Sequence, residues 1–356
     1  MLTILRKTLT IAVTALSVSA ITGCDIINDG EGYCPEGVDI YFKYDYNVQR
    51  ADMFADHVGG VTVYVFDNEG RYITEREEFN DATTRPLAAD GYKMTFNLPQ
   101  GKYRFIALAH QRSTNEIMNR PGAKYRRTIL AAGDRPDKLT VRLDRHSGKV
   151  LNENLSLDTL WQGMTATSVT VRPLEMTPTT ISLVRDTKNL TVSLHQLDDP
   201  AGIDAADFDV YITDRNGHLA HDNSLLDDEM ITYTPYETWT TEFNPGRADE
   251  AVERTPHYAL SFNRLIHYPD ATDNSRNALL TIVDRRSGAA VARINLPDCL
   301  AQGRGAFEQR HYTEQEFLDR EYDYKLDFFL KGGTWQYMRL SVSLLNWSKR
   351  IQNVGL

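Results

Sequence analysis

Val61-Thr62-Val63-Tyr64-Val65-Phe66-Asp67-Asn68-Glu69-Gly70 alternates and then turns, and Phe208-Asp209-Val210-Tyr211-Ile212-Thr213-Asp214-Arg215-Asn216-Gly217 does the same again. Each has a Val-Tyr-aliphatic centre, one further residue, and Asp-x-x-Gly. Period-two alternation is the pattern of a strand with two different faces, and Asp and Gly are turn formers. In the first copy Gly70 is placed to supply a positive φ. A repeat this far apart predicts two related domains, not a short-period solenoid.

Working outward from each copy, strand signals dominate. Before the first copy, Val38, Ile40, Phe42 and Tyr44 alternate with Asp39, Tyr41, Lys43 and Asp45. Ala51 to Val58 reads as a short amphipathic helix between them. After it, Arg71 to Thr74 starts a return strand. Tyr92 to Leu98, Pro99-Gln100-Gly101 and Tyr103 to Ala109 read as a hairpin with a proline-glycine turn. Further strands are expected at 138–143 and 167–172. Around the second copy, strands are expected at Thr180 to Leu183, Leu190 to Leu194 and Tyr258 to Phe262. Ala278 to Val283 and Ala290 to Leu296 form a second expected hairpin. Thr313 to Glu321 reads as a helix, and Tyr324 to Leu330 and Met338 to Leu345 as the last strands. Many short strands with close turn signals give an all-β class with short helices in the connections. Two tandem β-sandwich domains are expected, at 38–175 and 179–356, with the boundary near Pro173 to Pro178.

The 356-residue length suits two domains. The net charge of −10 repels phosphate backbones, which argues against a nucleic-acid partner. Residues 1–23 have the layout of a signal peptide: Arg6 and Lys7, then an apolar stretch from Thr8 to Ile21. That stretch is too short to span a bilayer comfortably. Ile21-Thr22-Gly23-Cys24 resembles a bacterial lipobox, with cleavage between Gly23 and Cys24 and lipidation of the Cys24 thiol. Two or more acyl chains would hold the body stably at a membrane, at ~0.8 kcal/mol per buried CH₂. Residues 24–37 then form an acidic, glycine-containing tether. Cys34 and Cys299 remain, far apart, and a disulfide between them is left open.

The search for chemistry finds no HExxH, GxSxG, GxxxxGK[ST] or GxGxxG, so no catalytic, cofactor or metal residue is assigned. Asp227-Asp228-Glu229 is an acidic cluster, and His218 and His221 lie three apart beside Asp222. Surface residues are the simpler reading of both. Tyr233, Tyr236 and Trp239 could stack on sugars or pack on the domain, which keeps a glycan-binding surface lipoprotein as an alternative.

The order of these segments resembles the FimB-like minor fimbrial subunit family of the type V pili of the Bacteroidia. The resemblance rests on the lipobox, Cys34-Pro35-Glu36-Gly37-Val38, the run FKYDYN ending at Asn47, ADMFADHV and VTVYVFDNEG. It continues through GYKMTFNLPQGKYRFIALAH, Phe317 to Leu330, Gly333-Thr334-Trp335 and the closing LSVSLLNWSKRIQNVGL. The resemblance implies transthyretin-like sandwiches and a lipidated, non-enzymatic subunit that attaches a pilus to the outer membrane and limits its length. The implied partner is the major fimbrillin of the shaft, joined by strand addition. Val38, Ile40 and Phe42, and Leu340, Val342, Leu344, Trp347 and Ile351, are the candidates for that joint. In polymerising relatives cleavage after an Arg frees the first strand; here Arg50 follows it, and an anchor is expected to keep it.

Overall fold

The computed structural model describes residues 36–244, 246, 252–269, 276–342 and 345–352. Gly23, Cys24, Cys34 and Leu344 lie outside these residues, as do the expected signal peptide, all but the last two residues of the tether, and the tail from 353 on.

The first half contains β1 (Gly37–Lys43), β2 (Gly60–Phe66), β3 (Tyr72–Phe79), β4 (Lys93–Asn97), β5 (Gly101–His110) and β6 (Tyr125–Arg127). It continues with β7 (Thr140–Leu143), β8 (Leu160–Met164), β9 (Val169–Val171), β10 (Met176–Ser182) and β11 (Val184–Arg185). The second half contains β12 (Lys188–Gln196), β13 (Phe208–Asp214), β14 (His218–Ala220), β15 (Ile231–Tyr233), β16 (Glu237–Phe243) and β17 (Glu253–Phe262). It ends with β18 (Leu279–Asp284), β19 (Ala290–Asn295), β20 (Asp323–Lys331), β21 (Thr334–Val342) and β22 (Leu345–Gln352). Short helices fill connections: α1 (Phe54–His57), α2 (Thr114–Asn119), α3 (Leu296–Ala301), α4 (Ala306–His311) and α5 (Glu314–Arg320). Thr313 caps α5, its hydroxyl accepting from the Glu316 amide.

The protein is mostly β, and its two halves repeat one plan. In the first, a sheet of order β10-β1-β4 packs on one of order β11-β8-β5-β2-β3. In the second, β20-β12-β17 and β19-β18-β13-β15 occupy the matching places, with β21 and β22 added beyond β20 and β16 beyond β17. Each half's first strand lies between an antiparallel and a parallel neighbour: β1 between β4 and β10, β12 between β17 and β20.

Alternation explains why β2 is buried along its whole length. Val61, Val63 and Val65 face Val38, Ile40, Phe96 and Phe105 in the first sandwich core. Tyr64 and Phe66 face the other way, into a second core that also holds Val192, Val210, Leu280 and Leu326. β5 splits in the same way, with Phe105 and Ala107 in one core and Ile106 and Leu108 in the other. The second core therefore runs from the large sheet of the first half through the sandwich of the second. Residues 36–356 form one compact unit.

Two sequence expectations change. β4 and β5 do not form a hairpin. β4 pairs with β1, β5 pairs with β2, and Pro99-Gln100-Gly101 carries the chain from one sheet to the other. Alternating apolar residues look the same whether two strands lie side by side or face each other, and here Phe96 and Phe105 meet across the core, ring centroids 5.9 Å apart. Thr180 to Leu183 was expected to open the second half. Thr180, Ile181 and Ser182 instead pair with β1, so the passage from the first set of sheets to the second falls between Arg185 and Lys188.

Candidate assembly surfaces

The two candidate strands sit in different situations. Val38 and Ile40 are fully buried and Phe42 nearly so, in a strand paired on both sides. Phe42 stacks on Phe54 at 5.4 Å, which closes α1 over the end of β1. Just beyond, Arg50 adopts φ +57° and lays its guanidinium 3.4 Å from the Phe307 ring centroid. The first strand is thus a resident core strand, followed by an arginine packed on the second half.

Leu340 and Val342 are also buried, in β21 between β20 and β22. Ile351 lies opposite Met338 and packs half-buried against the second core. Trp347 lies in β22, where the pairing slips between Ser341 and Val342; its side chain is outside the described residues. β22 ends the order of its six-stranded sheet. Its outer edge is the backbone row that an added strand would use.

The region between the halves is more polar than the sequence indicates. Lys188 is fully buried, and its ammonium donates to the carbonyls of Asp319 at 2.8 Å and Glu321 at 2.9 Å. The Arg264 guanidinium donates to both Asp319 carboxylate oxygens at 2.7 Å. Asn223 donates to Asp186 at 2.8 Å, and Arg185 lies 4.0 Å from the Tyr322 ring centroid. Burial pushes the Asp186 carboxyl up and the Lys188 ammonium down from their ordinary values. Of these contacts, Asn223 to Asp186 and Arg185 to Tyr322 cross from one half to the other, and losing either would leave a buried polar group short of a partner. The second tie is a sheet of order β14-β7-β6, which joins a strand of the second half to two of the first. Arg320, stacked 3.9 Å from the Tyr46 ring centroid, is a third.

The other singled-out residues are engaged locally. Asp228 pairs with Arg145, and Glu229 accepts from the same arginine at 2.7 Å. The acidic cluster is therefore partly neutralised by a buried guanidinium. His218 lies half-buried in β14, and Asp222 bonds Ser224. Tyr233 is buried and donates to Asn216 at 2.6 Å, Tyr236 is half-buried, and Trp239 stacks on His257 at 5.0 Å. These three aromatics do not form one platform. Cys299 is a buried free thiol, pushed up to about 12 by burial. No helix among the described residues is long and apolar enough to cross a membrane.

Repeated sheet orders and a first strand paired on both sides define a mostly β protein. The profile of the fimbrillin-A associated anchor proteins Mfa1 and Mfa2 matches residues 31–353, and the chain belongs to that family of fimbrial anchor and adhesin-like structural proteins. Among solved structures, it is similar to a candidate adhesin from Bacteroides thetaiotaomicron, with 27% identity and a TM-score of 0.73, covering 90% of this chain and 99% of that one. A candidate polysaccharide-binding protein from the same organism shares 30% identity with a TM-score of 0.69 at the same coverage. The fimbrial anchor protein Mfa2 from Porphyromonas gingivalis shares the fold, with 14% identity and a TM-score of 0.63, again covering 90% and 99%. No curated protein matches the sequence.

Proposed function

We propose that this protein is the outer-membrane base of a type V fimbrium. Lipid on Cys24 holds it at the membrane, and the two sandwiches carry the first major fimbrillin of the shaft through β-strand addition. By ending the row of subunits it limits the length of the filament. The observation that carries this reading is β1. Seven residues pair it with β10 and five with β4, with Val38, Ile40 and Phe42 inside the core. A shaft subunit must give up a strand to receive its neighbour's, whereas an end subunit that keeps its own has no reason to open. The edge of β22 is then the surface offered to the shaft.

Deleting the gene in its host and counting filaments by electron microscopy tests the role. Long, shed filaments are expected. Unchanged, cell-bound filaments would overturn it. Cys24→Ser should release the protein, with its filament, into the medium. A second reading, glycan capture, rests on the relative named for polysaccharide binding and on Trp239 at the edge of its sheet. Micromolar polysaccharide binding with normal filaments would favour it.

A further inference from the structure

The two copies of the repeat differ in what lies beside them. In the first half, β3 pairs with β2 from Gly60 to Phe66. In the second, β15 occupies the same place but pairs only with Ile212, Thr213 and Asp214. Beyond it Phe208 to Tyr211 has no strand on that side among the described residues. A groove of about 980 Å³ lies there, lined by this stretch, by Thr238 and Thr240 of β16, and by Lys149.

Register shows which backbone groups face the groove. The Arg285 amide donates to the Asp207 carbonyl at 2.9 Å, so 207 and 285 are a hydrogen-bonded pair of the β13–β18 ladder. Hydrogen-bonded pairs alternate along an antiparallel ladder. Asp209 and Tyr211 therefore bond to β18, and Phe208 and Val210 point their N–H and C=O groups toward the groove. The reason β15 stops is also visible. Tyr233 pairs with Ile212, so continuing the strand would bring residue 235 opposite Val210, a position that must donate an N–H. Residue 235 is proline, which has no N–H. The chain crosses to the other sheet instead, and the Tyr236 amide bonds the Ala259 carbonyl.

We propose that this groove receives an extended segment of a partner polypeptide, laid antiparallel to β13 in line with β15. The unpartnered N–H and C=O groups of Phe208 and Val210 recognise extended backbone, and β3 shows what fills the same place in the first half. The open stretch holds about four residues, ~13 Å of strand. Alternation assigns their chemistry. Residues opposite Phe208 and Val210 face the interior and are small or β-branched; those opposite Asp209 and Tyr211 face outward. Arg285 is already bonded to Asp209 at 2.8 Å, whereas Lys149 is exposed with no ion pair among the described residues. An acidic residue on the outward side of the segment fits it. Trp239, stacked on His257, also borders the groove. This docking does not depend on the anchor role.

The test is residue-resolved amide exchange on the full chain, with and without the synthetic peptide Thr-Val-Thr-Val-Glu-Val and its N-methylated twin. In the free protein the Phe208 and Val210 amides should exchange about tenfold faster than those of Asp209 and Tyr211. The peptide should slow Phe208 and Val210, and the twin should not. Thr238→Arg should abolish the protection without changing the melting midpoint, Glu237→Arg should leave it, and Lys149→Ala should weaken it. The proposal falls if Val210 is already as slow as Asp209, or if millimolar peptide gives no protection. It also falls if the twin protects equally, or if a soluble polysaccharide or self-association protects these amides in place of the peptide.

Discussion

The first half closes the edge of its repeat strand with eight residues of β3, and the second uses only three residues of β15. Both follow an Asp-x-x-Gly turn, so the difference arises after the turn. In the first half Gly70 takes φ +74° and the chain folds straight back. In the second, the chain leaves as β14 and pairs with β7 of the other half before it returns. Gly217 serves another need there. A Cβ on it would lie 2.4 Å from the Arg145 guanidinium and 2.8 Å from Asp228. The same residue pattern thus makes a hairpin once and a strap between halves the second time. The strap diverts the chain that could have covered β13.

If the strap and the buried seam make the halves one body, the largest effect should come from separating them. A fragment ending at Thr187 would expose Tyr64, Phe66, Ile106 and Leu108. It should fail to give a folded monomer by circular dichroism and sedimentation; a cooperative melt for it would break the comparison. Arg264→Ala leaves the buried Asp319 carboxylate without its bidentate partner, and should cost about 3–5 kcal/mol in urea unfolding. Leu219→Ala in the strap removes a fully buried side chain and should cost about 2–4 kcal/mol by the same measurement.

A smaller effect is readable in pH. Burial pushes Asp214, at the end of β13, up to about 7. The native state then holds a proton that the unfolded chain releases above about 4. Its stabilising contribution is full below that value and lost as pH rises to about 7. Asp214→Asn should narrow the difference in melting midpoint between pH 5 and pH 8. His110 acts in the opposite direction, since burial holds its imidazole down at about 4, but it is common to both proteins and leaves the comparison intact. The smallest effect contrasts the two glycines. Gly70→Ala has room and pays only for its left-handed backbone, about 1 kcal/mol. Gly217→Ala must displace Arg145 and should cost more by thermal melting.

Much of this plan is legible in the residues. β2 and β13, the helix capped by Thr313 and the β18–β19 hairpin follow from alternation and turn chemistry, because each is a local pattern. Partnership is less legible. The residues of β4 and β5 show that each strand has a buried side, but not whether the two sides share a sheet or face each other. The seam was hidden for another reason. Arg185-Asp186-Thr187-Lys188 reads as a polar turn between strands, and nothing local in four polar residues announces their burial. Among the surface candidates, Val38, Ile40, Phe42, Leu340 and Val342 are apolar for the sake of the core, so their character alone could not identify an assembly edge. The groove beside β13 had one signal in the sequence, Pro235, but its meaning depends on a register that only the fold supplies.

The position of β1 also bears on mechanics. A pull directed along β1 would load its parallel and antiparallel ladders together. Bonds lying across the line of pull share the load and must break together, where a strand peeled from its end gives way one bond at a time. Under drag on a filament, survival is set by the rate of forced unfolding, not by equilibrium stability. Loaded in that direction, a first strand paired on both flanks would lower that rate.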